Sequence, residues 1–230
     1  MIKEKVPTIA FDGINRVGKG TQIENLEIYS QKNNLSTIKI RGDGTRDGLG
    51  NHAGDPENIC WQKYSSYIRN HGTVDDWNYA AYILALDIKY WRENGYNQGK
   101  HLVFLDRSLI SRATFILDKS VRHHRNLSME DLYPYQGSQR INLDDVLPDV
   151  IFELTAPKEL VISRLDPNDK KFNFRSRIIE NQYERFYSAK FYLPEAIQER
   201  IITIDSAPPK EVVFSSVLSK LDQVIFNQIA

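Results

Sequence analysis

Apolar positions along this chain switch repeatedly between short continuous runs and a helical spacing. The runs are Thr8-Ile9-Ala10-Phe11, Ser36-Thr37-Ile38-Lys39-Ile40, His101-Leu102-Val103-Phe104-Leu105, Val150-Ile151-Phe152-Glu153-Leu154 and Ile201-Ile202-Thr203-Ile204. Runs this short, apolar on both faces, suit strands buried within a parallel sheet. Between them the spacing widens. Ile23, Leu26 and Ile28 open one helix, and Ala81, Leu84, Ala85, Ile88 and Trp91 share one face of a helix predicted from about 77 to 98. Further helices are predicted at 157–165, 176–198 and 209–228. Strands alternating with helices build βαβ units, so the pattern predicts an α/β fold with about five parallel strands flanked by helices. Right-handed crossovers then bring the functional loops to the carboxyl ends of the strands. No repeat, low-complexity tract or linker divides the chain, so one domain over 1–230 is expected.

The first strand leads into Gly13-Ile14-Asn15-Arg16-Val17-Gly18-Lys19-Gly20-Thr21-Gln22, which runs directly into the first helix. Strand, glycine-rich loop and helix in that order make a phosphate-binding P-loop. Its backbone N–H groups, backed by the positive end of the helix, wrap a polyphosphate. Lys19 then sets a point charge on the terminal phosphates. The loop departs from the common form at Gly20, where Ser or Thr is usual, with Thr21 one residue later.

Composition adds limits. The chain has 230 residues, 41% hydrophobic and 26% charged, enough for a sizeable core, and its net charge is zero. No general field for a nucleic acid polymer or an anionic membrane exists, so phosphate binding must come from local clusters. The single cysteine, Cys60, rules out an internal disulfide framework and fits a reducing compartment, and its side chain reads as an ordinary small, buried apolar one. The N-terminus shows no signal-peptide pattern and no apolar run reaches membrane-spanning length, so a cytoplasmic location is expected.

Asp106-Arg107-Ser108 follows the third strong strand and is predicted to face the mouth of the P-loop. A carboxylate there organises Mg²⁺ or holds a substrate hydroxyl, and an arginine beside it clamps a phosphoryl group. The competing expectation is that Asp106 caps the next helix and Arg107 is a surface charge. Asp166 to Arg177 is turn-rich and basic, placed as a lid over the phosphates would be. Its Lys170, Lys171, Arg175 and Arg177 are candidates to neutralise the transferring group, or else a solvated loop.

These motifs together resemble the thymidylate kinase family of P-loop nucleoside monophosphate kinases. Residues Phe11 to Gln22 are similar to its F-E-G-x-D-x-x-G-K-[ST]-T-Q, and Arg41-Gly42-Asp43-Gly44 to its acceptor-binding R-E-P-G loop. Ala85-Leu86-Asp87 resembles A-A-D-R, Asp106-Arg107 with Ser111 resembles D-R-x-x-x-S, and Pro148-Asp149 through Leu154 resembles P-D-x-x-x-x-L. Arg177, Glu180, Glu184 and Phe186 echo the lid and the helix after it. The likeness spans nearly the whole chain, with enlarged stretches at about 43–76 and 119–147.

The resemblance implies a three-layer P-loop kinase fold with a small lid near 166–177, ATP as donor and Mg²⁺ as cofactor. It implies that Gly13, Asn15, Arg16, Val17, Gly18, Lys19, Gly20 and Thr21, with Arg175 and Arg177, bind ATP. Asp12, Asn15, Arg41, Asp87, Arg107 and Ser111 would bind the acceptor, and Thr21 and Asp106 the metal. Lys19, Arg16, Asp106 and Arg107 would be catalytic, and the 77–98 helix would pair two copies into a homodimer. The acceptor would be a (deoxy)nucleoside monophosphate.

Three departures touch the acceptor pocket. Asn15 replaces an acidic residue that contacts the acceptor sugar, Ile88 stands where the A-A-D-R arginine would lie, and Ile116 matches a base-reading glutamine. Sites that hydrogen-bond a base reject its analogues strongly, so these changes point to a rebuilt pocket. Asp106-Arg107-Ser108 also resembles the E-R-S motif of deoxyribonucleoside kinases, where the carboxylate acts on a 5′-hydroxyl. A nucleotide-binding protein that has lost transfer is a further alternative. His123-His124 lacks partners at metal spacing, and Tyr64, Tyr67, Trp77, Tyr79, Tyr82 and the Leu132–Gly137 stretch read as packing or pocket lining.

Overall fold

Both faces of every central strand are apolar because the sheet is covered on both sides. The computed structural model describes residues 5–41 (of Arg41, the backbone), 85–111, 113–114, 127 and 145–222. Within them lie β1 (Thr8–Asp12), β2 (Thr37–Arg41), β3 (Leu102–Asp106), β4 (Val150–Thr155) and β5 (Ile201–Asp205). All pair in parallel, in the order β2-β3-β1-β4-β5. The helices are α1 (Lys19–Lys32), α2 (residues 85–94), α3 (opening at 109), α4 (Lys158–Ser163), α5 (Phe172–Ala189), α6 (Glu195–Gln198) and α7 (Lys210–Leu221).

Alternate residues of one strand serve opposite cores. Ile9 and Phe11 of β1 pack with Phe104 and Phe152 beneath Ile23 and Leu26 of α1 and Val213 and Val217 of α7. Ala10 points the other way, into a layer with Ile40, Leu105 and Ile151 that is closed by Ile88 and Trp91 of α2 and Phe186 of α5. Each such fully buried side chain contributes roughly 1.5–3 kcal/mol of transfer free energy, which makes the alternation the main determinant of the three layers.

The register levels the carboxyl ends of three strands. Asp106 lies opposite Phe11 on one side and opposite Arg41 on the other. From β1 the chain winds one way to β2 and β3 and the other way to β4 and β5, so the crevice opens at the end of β1. The opposite end is clamped by charge. Arg92, 5% exposed, makes a bidentate pair with Asp149 at 2.9 and 3.0 Å. Asp145 accepts from Lys5 at 2.6 Å and Lys89 at 3.2 Å, and the Lys5 hydrogen bond holds its carboxyl below the usual range.

Three predicted boundaries are corrected. The 77–98 helix is α-helical as far as residue 94; Gly95 keeps helical dihedrals (φ −58°, ψ −45°), the coil tightens to a 3-10 turn over Tyr96–Gln98, and the left-handed Gly99 (φ 68°) ends it. The 176–198 helix begins earlier, at Phe172, and stops at Ala189, with Pro194 forcing Leu193 into extended backbone before α6. The lid stretch 166–177 is therefore a turn only as far as Lys171, and its second half is the start of α5. Asp169 drives that early start by accepting the Lys171 N–H at 2.8 Å and pairing with Arg175.

Candidate active site

The loop after β1 is shaped by two glycines. At Gly13 (φ 152°) a Cβ would lie 2.6 Å from Val17 Cγ1 and 2.9 Å from the Leu154 carbonyl, and Gly18 takes φ 114° at the entry to α1. No acidic residue occupies the first turn of α1, so the positive helix end faces the loop uncancelled. Lys19 is only 7% exposed, and its Nζ donates to the carbonyls of Gly13 at 2.7 Å and Ile14 at 3.0 Å. That ammonium spans the loop mouth.

A cleft of about 920 Å³ opens above the loop, within the size range of small-molecule sites. Its floor is Asn15, Arg16, Val17, Gly18, Lys19, Gly20 and Thr21, and Asp106 and Arg107 form the wall on the β3 side. The predicted P-loop and Asp-Arg motif thus meet in one cavity. Across the sheet, on the β4–β5 side, Arg164, Ser206 and Pro208 form the far wall, and Lys171, Phe174 and Arg175 of the former lid stretch close the top. Charged residues line it on both sides, Asp106 and Arg107 on one and Arg164 and Lys210 on the other, and Leu165, Phe174, Ile178 and Val213 supply an apolar share.

Arg107 has a left-handed backbone (φ 75°), and its N–H donates to the Phe11 carbonyl at 2.9 Å. Its guanidinium donates to the Asn15 side-chain oxygen and to Ser111 Oγ at 3.5 Å. Asp12 is fully buried and accepts from the N–H groups of Ser108 (3.0 Å), Ile110 (3.3 Å) and Ser111 (3.3 Å) and from both serine hydroxyls. This carboxylate caps α3 at the point where its dipole is positive. The cap that the competing expectation gave to Asp106 is therefore Asp12, and Asp106 stands on the cleft wall.

Other expected site residues stand apart. Asp12, Asp87, Ser111 and Arg177 are not among the cleft walls; Asp87 is fully buried in α2, and Arg177 and Lys170 are exposed. Thr21 is on the cleft with an exposed side chain, and a Cβ on Gly20 would meet nothing within 4 Å. Arg41 ends β2 level with Asp106, and its side chain lies outside the described residues, as do Ile116, Cys60, the His123-His124 pair and the stretch 43–76. Ala85, Ile88 and Trp91, the described part of the expected pairing face, are buried against the sheet of this same chain. These three residues belong to the core of this chain.

Arg164 was not singled out in the sequence. It ends α4 and donates to the Val17 carbonyl at 3.1 Å and the Ser206 carbonyl at 2.7 Å, tying the P-loop to the turn after β5. No spacing rule finds it, because both acceptors are backbone carbonyls in distant segments.

The fold is similar to that of a solved structure. Thymidylate kinase from Candida albicans superposes with a TM-score of 0.53 at 19% identity, over 95% of this chain and 92% of that one. The fold is a P-loop kinase fold. No protein-family model matches the chain, and no curated protein sequence does. The Candida albicans structure is described as revealing the origin of broad substrate specificity and a novel structural element. Among the described residues of this kinase fold, no helix is long and apolar enough to cross a membrane.

Proposed function

We propose that the chain is a nucleotide kinase that transfers the γ-phosphoryl group of ATP to a (deoxy)nucleoside monophosphate. The observation that carries this reading is the single cleft lined by Lys19 and its loop, by Asp106 and by Arg107. Donor phosphates lie along the loop N–H groups, and the Lys19 ammonium exchanges its two carbonyl acceptors for phosphate oxygens. Arg107, on the β3 side, grips the acceptor phosphate, joined by Arg41 from the level end of β2. Arg16 at the loop tip and Arg175 above neutralise the group in flight. An acceptor phosphate oxygen bonds to the γ-phosphorus as the β–γ bridging bond breaks and ADP departs.

The donor set suits a magnesium ion at one point. Asp106 offers a hard carboxylate oxygen on the cleft wall, with the Thr21 hydroxyl on the same surface, whereas Gly20 offers none. Mg²⁺ bound with the nucleotide supplies charge neutralisation, and Asp106 would hold it directly or through water. Arginine on the acceptor side favours an anionic acceptor over the free 5′-hydroxyl of a nucleoside.

The test is ATP-to-ADP conversion with Mg²⁺ across ribonucleoside monophosphates, deoxyribonucleoside monophosphates and free nucleosides. Turnover with one or more monophosphates is expected. Turnover with nucleosides alone would move the assignment to a nucleoside kinase with Asp106 as general base, and ATP binding without any turnover would favour a silent binding protein.

A further inference from the structure

We propose that Asp12 and Ser111 are positioning residues that aim the Arg107 guanidinium, and not contacts of the acceptor; this rests on the kinase reading of the cleft. Two observations carry it. The first is saturation. A carboxylate offers about four lone-pair directions, and Asp12, with no exposed surface, already receives five hydrogen bonds from Ser108, Ile110 and Ser111. Nothing is left for a substrate hydroxyl.

The second is connectivity. Ser111 Oγ donates to Asp12 at 2.6 Å and accepts from Arg107 at 3.5 Å, so the fixed carboxylate sets where that hydroxyl stands. Arg107 itself is left-handed (φ 75°), a conformation unfavourable for a non-glycine residue. It persists because its neighbours over-determine it. Its own N–H is held by Phe11, and the next residue, Ser108, is fastened to Asp12 through both N–H and Oγ. Asp12 is also the residue immediately before Gly13. One side chain therefore ties the donor loop to the turn that carries the acceptor-side arginine, and it sets the spacing between them.

The experiment follows the Arg107 Nε–H NMR signal, assigned by its loss in Arg107→Lys, in the full chain. Ser111→Ala leaves every backbone donor to Asp12 in place and is the mild variant; Asp12→Asn is the severe one, with Asp12→Glu to test whether charge alone suffices. Ser111→Ala and Asp12→Asn are expected to shift or broaden the signal, and an unmoved signal overturns the proposal. With MgADP present and inorganic phosphate as the probe, each variant is expected to weaken phosphate at least fivefold in the wild-type background and less than twofold in an Arg107→Ala background. MgADP affinity stays within twofold. Equal losses with and without Arg107 would show that Asp12 and Ser111 touch the anion themselves, which also overturns the proposal. Failure of the kinase reading has a separate signature: a wild-type chain that binds no MgADP although its Arg107 signal still responds to Ser111→Ala.

Discussion

The Arg107 guanidinium donates to the side-chain oxygen of Asn15, joining the P-loop to the turn after β3 across the floor of the cleft. Both residues entered the site from separate motifs, and their contact makes the donor and acceptor halves one unit. A hydrogen bond to a charged group is worth about 1.5–3 kcal/mol, and about 1.4 kcal/mol is tenfold in affinity. Asn15→Ala is therefore expected to raise the acceptor KM about tenfold while the Kd for ATP changes little. An equal loss in both constants, read from initial rates and calorimetry, would place Asn15 on the donor instead.

Lys19→Ala tests the P-loop itself. Preorganised charge of this kind is worth about 10²–10³ in rate. Transfer should fall at least that far. The substitution also removes the donor from two buried-loop carbonyls, so a loss of about 1–2 kcal/mol of stability is expected with the fold retained. Near-normal turnover in a variant with a cooperative melt would sink the assignment of Lys19.

Gly20 separates geometry from chemistry. A Cβ there meets nothing within 4 Å, so Gly20→Ser should fold as well as the parent. Glycine inside a helix costs about 0.5–1 kcal/mol relative to alanine, which offsets much of any serine penalty. The new hydroxyl would stand beside Asp106 and Thr21 on the cleft. MgADP is expected to bind a few-fold more tightly, with ADP alone unchanged; equal gains without Mg²⁺ would show that the hydroxyl meets phosphate and not metal.

Asp145 gives a pH-dependent prediction at the far end of the sheet. Its folded-state pKa lies below the usual value, chiefly through the Lys5 hydrogen bond, with Lys89 adding to it. A depressed carboxyl contributes stability that is complete above the unfolded pKa of about 3.9 and is lost as pH falls through the folded value. The Tm difference between wild type and Asp145→Asn should be constant from about pH 8 to pH 5 and shrink below about pH 4. A difference that persists unchanged at pH 3 would assign the effect to packing.

Local signals in the residues were enough to set the elements and the phosphate loop. The apolar runs placed all five strands within a residue or two, because a strand covered on both faces leaves no polar period to misread. Gly13, Gly18 and Lys19 were legible because their roles follow from backbone sterics and a fixed spacing. Helix ends were harder. The coil after α2 tightens to a 3-10 turn before the left-handed Gly99, and Asp169 starts α5 by accepting the Lys171 N–H on its side-chain carboxylate, details that periodicity does not carry.

Roles that depend on a partner far along the chain came from the three-dimensional arrangement. Asp12 reads as a substrate contact in a motif, yet in space it is a saturated cap for α3. Ala85, Ile88 and Trp91 form an apolar stripe whose partner periodicity does not name, and in space they pack on the sheet. Arg164 bonds only to carbonyls, which every residue possesses, so no side-chain pattern announces it. Residue type and spacing encode interactions within a turn or a strand; which distant groups saturate a given carboxylate or guanidinium is set by how the strands are ordered and how the helices pack upon them.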